Sequence, residues 1–78
     1  MHRVTFYTKL ECSLCEEAYR VLLDVALDTP LEIDVVDITH ASSEVGARYR
    51  IRIPVLALDN GVELDWPFST TDVTSQLG

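Results

Sequence analysis

Two cysteines separated by two residues are the part of this chain whose residue types and spacing most directly suggest chemistry. They lie in the segment Cys12-Ser13-Leu14-Cys15. A thiolate is the nucleophile of thiol–disulfide exchange, and a second thiol three residues further along a helix start is within reach of the first sulfur. The spacing therefore indicates a redox pair, in which Cys12 attacks a disulfide and Cys15 resolves the resulting mixed disulfide.

The predicted secondary structure places this pair at the start of a helix. Residues 13–28 carry apolar side chains at steps of three and four residues, which predicts an amphipathic helix that stops before Thr29-Pro30. The apolar positions are Leu14, Ala18, Val21, Leu22 and Val25. Unpaired backbone N–H groups and the helix dipole stabilise a thiolate near the N-cap. We therefore expect Cys12 to be the more exposed and the more acidic thiol.

Three other interpretations of the cysteine pair stay open at this point. The pair could be half of a zinc site, although only His2 and His40 could add histidine ligands and they lack the usual paired spacing. It could be a structural disulfide, although so small a loop removes little chain entropy. The third interpretation is a redox-inactive binding module with an incidental pair, and turnover would distinguish it from an oxidoreductase.

The remaining elements complete an α/β pattern around this helix. Apolar alternation and β-branched residues predict strands, Asn60-Gly61 predicts a tight turn, and Ser69 with Asp72 predicts a helix start. The order β-α-β-α-β-β-α predicts a thioredoxin fold, with a four-stranded mixed sheet flanked by helices in a single domain over residues 1–78. Strands are predicted at residues 3–8, 31–35, 54–58 and 62–64, and helices at residues 42–49 and after Ser69.

Two segments together resemble a glutaredoxin-like protein of the thioredoxin-fold superfamily. They are Tyr7-Thr8-Lys9-Leu10-Glu11-Cys12-Ser13-Leu14-Cys15 and Ile51-Arg52-Ile53-Pro54-Val55-Leu56. The resemblance implies that the Ile53–Pro54 peptide is cis and that Pro54 packs opposite the cysteine pair. It also implies that Lys9 is the basic residue that glutaredoxins carry near their motif. We expect Cys12 and Cys15 to be catalytic and Lys9, Leu14, Ile53 and Pro54 to bind substrate.

The chain departs from the glutaredoxin pattern where glutathione would bind. Glutaredoxins typically have Pro and Tyr between the cysteines, and a Gly-Gly followed by an acidic residue after the fourth strand. Here Ser13 and Leu14 separate the cysteines, and Asp65-Trp66-Pro67 follows the last predicted strand. We therefore expect a protein disulfide or dithiol as the partner, with weak use of glutathione. Trp66 and Phe68 are expected to pack in the core rather than to form a rim beside the site.

Composition and charge limit the classes of partner and the cellular compartment that we expect for this chain. The net charge of -7 opposes binding to nucleic acid and to anionic membranes. No apolar run approaches the length of a membrane helix, and the N-terminal residues lack a signal-peptide pattern. We expect a cytoplasmic monomer that requires no metal and no cofactor.

Overall fold

The computed structural model describes residues 1–77, and its elements follow the predicted order. The strands are β1 (His2–Thr8), β2 (Leu31–Asp37), β3 (Val55–Ala57) and β4 (Glu63–Asp65). The helices are α1 (Ser13–Asp28), α2 (Ser43–Tyr49) and α3 (Thr70–Leu77).

The four strands form one mixed sheet in the order β2-β1-β3-β4. β1 and β2 are parallel, as expected for two strands joined by a helix. β3 pairs antiparallel with both β1 and β4. This arrangement confirms the predicted thioredoxin-like layout. Because β1 and β3 are antiparallel, the last residues of β1 lie beside the first residues of β3.

The main hydrophobic core lies on the sheet face that α1 and α3 cover. Val4 and Phe6 of β1 pack there with Ala18 and Leu22 of α1 and with Val73 of α3. A smaller cluster on the opposite face joins Ile38, Tyr49 and Val55, with Tyr7 packed against them. The alternation of β1 side chains between the two faces follows from strand geometry.

The core-facing row of α1 begins at Cys15, one residue after Leu14, the first apolar position of the predicted helix. Leu14 is exposed, and Cys15 is the buried residue of the first turn. Cys15, Ala18, Leu22 and Val25 follow each other at the same three- and four-residue steps, so the core-facing row passes through the second cysteine. Leu14 therefore lies beside the cysteine pair on the surface rather than in the core.

The hairpin between β3 and β4 turns at Gly61, whose φ angle is 89°. The Gly61 N–H donates to Leu58 O at 3.0 Å, and the Leu58 N–H donates to Val62 O at 2.9 Å. The Asn60 side chain accepts a hydrogen bond from the Val62 N–H at 2.9 Å. Only the glycine of the Asn-Gly pair adopts positive φ, because the connection is longer than a two-residue turn.

The predicted cap of α3 is present in the structure. The Ser69 hydroxyl accepts from the Asp72 N–H at 3.1 Å, and the Asp72 carboxylate accepts from the Ser69 N–H at 2.8 Å, so Ser69 caps α3 as predicted. In β2, Val35 is 54% exposed, whereas Leu31 and Ile33 on the same face of the strand pack against the main core. Within residues 1–77, no helix is long and apolar enough to cross a membrane.

The aromatic residues after β4 face inward. Phe68 is buried, and Trp66 packs against the main core with its ring edge-on to Phe68, at a centroid distance of 5.1 Å. The expected core position of these two residues is confirmed. The Trp66–Pro67 peptide is cis, as is the Ile53–Pro54 peptide, and only the second was predicted.

Candidate active site

Cys12 is the N-cap residue of α1, with an extended backbone conformation. Its sulfur accepts a hydrogen bond from the Cys15 N–H at a distance of 3.2 Å. The first N–H groups of a helix have no partner within the helix, and a capping side chain satisfies one of them. The Cys12 sulfur therefore occupies the position where an oxygen of serine or aspartate usually caps a helix.

The two cysteines are close enough to form a disulfide, with their Cα atoms 5.2 Å apart and their sulfurs close to disulfide distance. Their exposures differ, because Cys12 is half-buried whereas Cys15 is only 3% exposed. Cys15 belongs to the main core, and Cys12 packs against its margin. The expected order of exposure is confirmed, and an external disulfide can approach Cys12 more readily than Cys15.

Glu11, directly before Cys12, has a φ angle of 57°. L-residues with a side chain larger than that of glycine rarely adopt this left-handed conformation. The turn brings the chain from the end of β1 into the extended geometry of the N-cap. No feature of the sequence distinguished Glu11 in this respect, since glycine, asparagine or aspartate would be the usual signal.

Pro54 lies directly before β3, at the end of the sheet where β1 stops and the loop to Cys12 begins. Tyr7 of β1 pairs with Val55 of β3, so Pro54 comes level with Thr8, the last residue of β1. Pro54 is fully buried, and Ile53 packs against both hydrophobic clusters. The cis peptide between them confirms that part of the resemblance, and the contact between Pro54 and the cysteine sulfurs stays a prediction.

The other two predicted binding residues are at the surface. Lys9 and Leu14 are both exposed, one in the loop before Cys12 and the other in the first turn of α1. Lys9, Cys12 and Cys15 line the same groove. The structure thus brings the cysteines and Lys9 together, and it puts Leu14 on the surface next to them.

A polar network that the sequence did not suggest supports the segment before Pro54. The Arg52 guanidinium donates to Glu63 at 3.0 Å and to Asp65 at 3.1 Å, which ties this segment to β4. The Tyr49 hydroxyl also donates to Glu63, and the Tyr49 ring stacks on Tyr7 at a centroid distance of 4.0 Å. The network therefore joins β1, α2 and β4 behind the cis-proline loop.

The titration behaviour of this network follows from its contacts. Burial and the hydrogen bond to Glu63 raise the pKa of Tyr49. Hydrogen bonds from Tyr49 and Arg52 lower the pKa of Glu63, and the bond to Glu63 raises the pKa of Arg52. Arg52 and Glu63 are thus both charged at neutral pH and committed to each other.

Among residues 1–77, no group of three or more His, Cys, Asp or Glu side chains is arranged to hold a metal ion. His2 instead contacts Asp59 at 3.0 Å, and His40 is exposed.

Comparison with known proteins identifies the family. The sequence profile of the Glutaredoxin-like domain (DUF836) matches residues 3–78, which is nearly the whole chain. The chain belongs to this glutaredoxin-like family. No curated protein matches it.

Two solved structures of XcR50, a structural genomics target protein from X. campestris, resemble this glutaredoxin-like protein. The X-ray structure has 31% sequence identity and a TM-score of 0.78, over 95% of this chain and 93% of that chain. The solution structure has 30% identity and a TM-score of 0.77, over 99% and 92% of the two chains. Family, fold and the paired cysteines together support a thioredoxin-like redox role.

Proposed function

We propose that this glutaredoxin-like protein is a thiol–disulfide oxidoreductase, with Cys12 as nucleophile and Cys15 as resolving thiol. The observation that carries the proposal is the asymmetry of the pair at the start of α1. The accessible Cys12 sulfur receives the Cys15 N–H, while the Cys15 side chain is buried directly behind it. A sulfur in this position is stabilised as a thiolate by the helix N-terminus.

The reaction proceeds in two exchange steps that balance in electrons. The Cys12 thiolate attacks one sulfur of the substrate disulfide, which forms a Cys12 mixed disulfide and releases the other substrate sulfur as a thiolate. The Cys15 thiol loses its proton and attacks the Cys12 sulfur, which forms the Cys12–Cys15 disulfide and releases the second substrate thiolate. Two electrons thus pass from the protein to the substrate, and an external thiol or dithiol must reduce the protein again.

We propose a protein disulfide or dithiol as the partner, with glutathione a poor substrate. Asp65 ends β4, the strand after which a glutaredoxin grips the γ-glutamyl group, and its carboxylate is already held by Arg52. Arg52 in turn is bound to Glu63, so neither side chain is free to hold an anionic tripeptide. Trp66 fills the next position and packs on the core. A compartment that keeps thiols reduced, such as the cytoplasm, suits this role.

A redox titration with two cysteine variants tests the oxidoreductase function. The Cys12–Cys15 couple should titrate as a two-electron couple, and the reduced protein should cleave a small reference disulfide. Cys12→Ser should abolish cleavage, whereas Cys15→Ser should still attack and accumulate the mixed disulfide, which intact-mass spectrometry detects. A wild-type protein that folds but cleaves no disulfide would instead support the redox-inactive binding module.

A second assay tests the choice of partner. Reduction of a glutathione mixed disulfide is measured at physiological glutathione, beside an authentic dithiol glutaredoxin. We expect turnover well below that of the reference enzyme. Comparable turnover would refute the proposal that glutathione is a poor substrate, while leaving the oxidoreductase function intact.

A further inference from the structure

A groove of about 710 Å³ opens beside the cysteine pair, between α1 and the edge strand β2. Phe6 and Val35 line it from the sheet, Tyr19 and Leu23 line it from α1, and Cys12 is also among its lining residues. Pro54 does not line this groove. β3 adjoins β1 on the side away from β2, so the groove and the cis-proline are on opposite sides of β1.

The groove exposes apolar side chains that the fold leaves without partners. Leu31, Ile33 and Val35 of β2 point to the α1 face, because alternate residues of a strand share a face. Leu31 and Ile33 pack against the main core, whereas Val35 is 54% exposed. Leu23 on α1 is 47% exposed and lines the groove with it. An apolar side chain placed between Leu23 and Val35 would remove both from water.

The strand that borders the groove has a free outer edge. β2 has seven residues, and within residues 1–77 no strand pairs with its outer side. β4, at the opposite edge of the sheet, has only three residues. A long unpaired edge offers a row of backbone N–H and C=O groups to another chain, and extended peptides bind sheets in this way. This edge favours a polypeptide over a small molecule as the occupant.

The charges around the groove favour a basic occupant. Of its lining residues, three are acidic (Glu11, Glu16 and Asp37) and two are basic (Lys9 and Arg20). The chain as a whole carries a net charge of -7. Charge complementarity across an interface sets the choice of partner and raises the association rate. A segment with a net positive charge therefore matches this surface better than an acidic one.

We propose that the groove and the outer edge of β2 bind an extended, apolar and basic segment of the disulfide-bearing partner. The segment pairs with β2 as an additional strand, and one of its apolar side chains covers Leu23 and Val35. The end of β2 is level with the end of β1, from which the chain leads to Cys12, so the disulfide of the bound segment is held near the nucleophile. This inference rests on the proposed exchange chemistry and names the class of substrate for it.

Synthetic peptides test the inference directly. Each peptide contains one cysteine, joined as a mixed disulfide to a coloured aromatic thiol, with apolar residues and either lysines or glutamates beside the cysteine. A mixed disulfide of the same thiol with 2-mercaptoethanol is the reference. Reduced protein releases the coloured thiol, and the ratio of the peptide rate to the reference rate is measured. We expect this ratio to be at least about threefold higher for the lysine peptide at low ionic strength, with the difference shrinking as salt is added.

A matched pair of leucine variants distinguishes the groove from the rest of α1. Leu23→Gln should lower the ratio for the lysine peptide roughly three- to tenfold, because a contact of a half-exposed leucine is lost. Leu27→Gln is the control, since Leu27 lies on the same helix, is 82% exposed and does not line the groove. N-methylation of the peptide amides that face β2 should also lower the ratio, because it removes the donors of the added strand.

The outcomes separate this inference from the function on which it rests. Equal ratios for the lysine and glutamate peptides, or an unchanged ratio in Leu23→Gln, would overturn the proposed binding site while exchange itself continues. An unchanged ratio after N-methylation would overturn the pairing with β2. Failure of the reduced protein to react even with the reference disulfide would refute the oxidoreductase function, and this inference with it.

Discussion

Replacing Tyr49 by phenylalanine isolates the hydroxyl that connects α2 to the network behind the cis-proline loop. The Tyr49 ring is 4% exposed and stays packed in the variant, so the change removes a hydrogen bond to Glu63 without opening a cavity. Hydrogen bonds to charged groups contribute about 1.5–3 kcal/mol to stability. Glu63 keeps its bond to Arg52 and has a partly exposed side chain, so water replaces some of the loss. We expect a loss of about 1.5 kcal/mol, at the low end of this range.

The assay is thermal and urea unfolding of the oxidised protein. For a domain of this size, a loss of about 1.5 kcal/mol lowers the melting temperature by about 6–12 °C. Tyr19→Phe is the matched control, because the Tyr19 ring also packs against the core while its hydroxyl makes no hydrogen bond to another described residue. We expect the control to change stability by less than about 0.5 kcal/mol.

The pH dependence gives this prediction a second, independent readout. The pKa of Glu63 is lowered by folding, so its stabilising contribution is present above the normal pKa of 4.5 and is lost as the pH falls through the folded-state value. The pKa of Tyr49 is raised by folding, so its contribution is present below the normal pKa of 10.0 and is lost as the pH rises above it. The stability difference between wild type and Tyr49→Phe should therefore be largest near neutral pH and shrink towards both extremes. A difference that matches the Tyr19→Phe control, or that does not vary with pH, would refute the assigned hydrogen bond.

Three further predictions concern the cysteine pair, the residue before it, and the start of α3. In the reduced protein, limiting haloacetamide should modify Cys12 before Cys15, as peptide mass spectrometry would show, because Cys15 is buried; faster reaction of Cys15 would contradict the assigned roles. Glu11→Gly should stabilise the fold by up to about 1 kcal/mol in urea unfolding, since glycine adopts positive φ without steric cost, whereas Glu11→Gln keeps the φ preference and should not. Ser69→Ala should destabilise by about 1 kcal/mol through loss of the α3 cap, and no such loss is expected for the neighbouring Thr71→Ala.

Local patterns in the sequence were sufficient to predict the elements and their order. α1 spans the predicted residues because the apolar period persists across them and Thr29-Pro30 ends the helix. The cap of α3 was also predictable, since its two side chains are only three residues apart. Leu14 is exposed because Cys15, and not Leu14, is the first core-facing residue of α1. Cys15 is thus both a reactive group and an apolar side chain of the helix. Cysteine is among the most buried residue types, so both descriptions hold at once.

The features that sequence reasoning missed depend on distant parts of the chain. Alternation in β2 indicated which face Val35 points to, but its exposure of 54% depends on the elements that pack against the sheet, which no local pattern encodes. The same is true of Arg52, whose side chain binds two carboxylates on β4. Whether a charged side chain near a motif can contact substrate depends on the partners that neighbouring strands bring to it.

The roles proposed for the two cysteines rest on helix geometry rather than on their order in the motif alone. A residue at the N-cap has extended backbone angles, and its side chain turns back towards the N–H group three residues on, which here belongs to Cys15. The side chain at that third helical position points instead onto the sheet, where Cys15 is 3% exposed. One sulfur thus receives the unpaired N–H and contact with solvent, and the other is shielded but remains within bonding reach of the first. An incoming disulfide reaches the more exposed Cys12 more readily, and Cys15 stays within reach of it from the core side, so this arrangement supports the proposed order of first attack by Cys12 and resolution by Cys15.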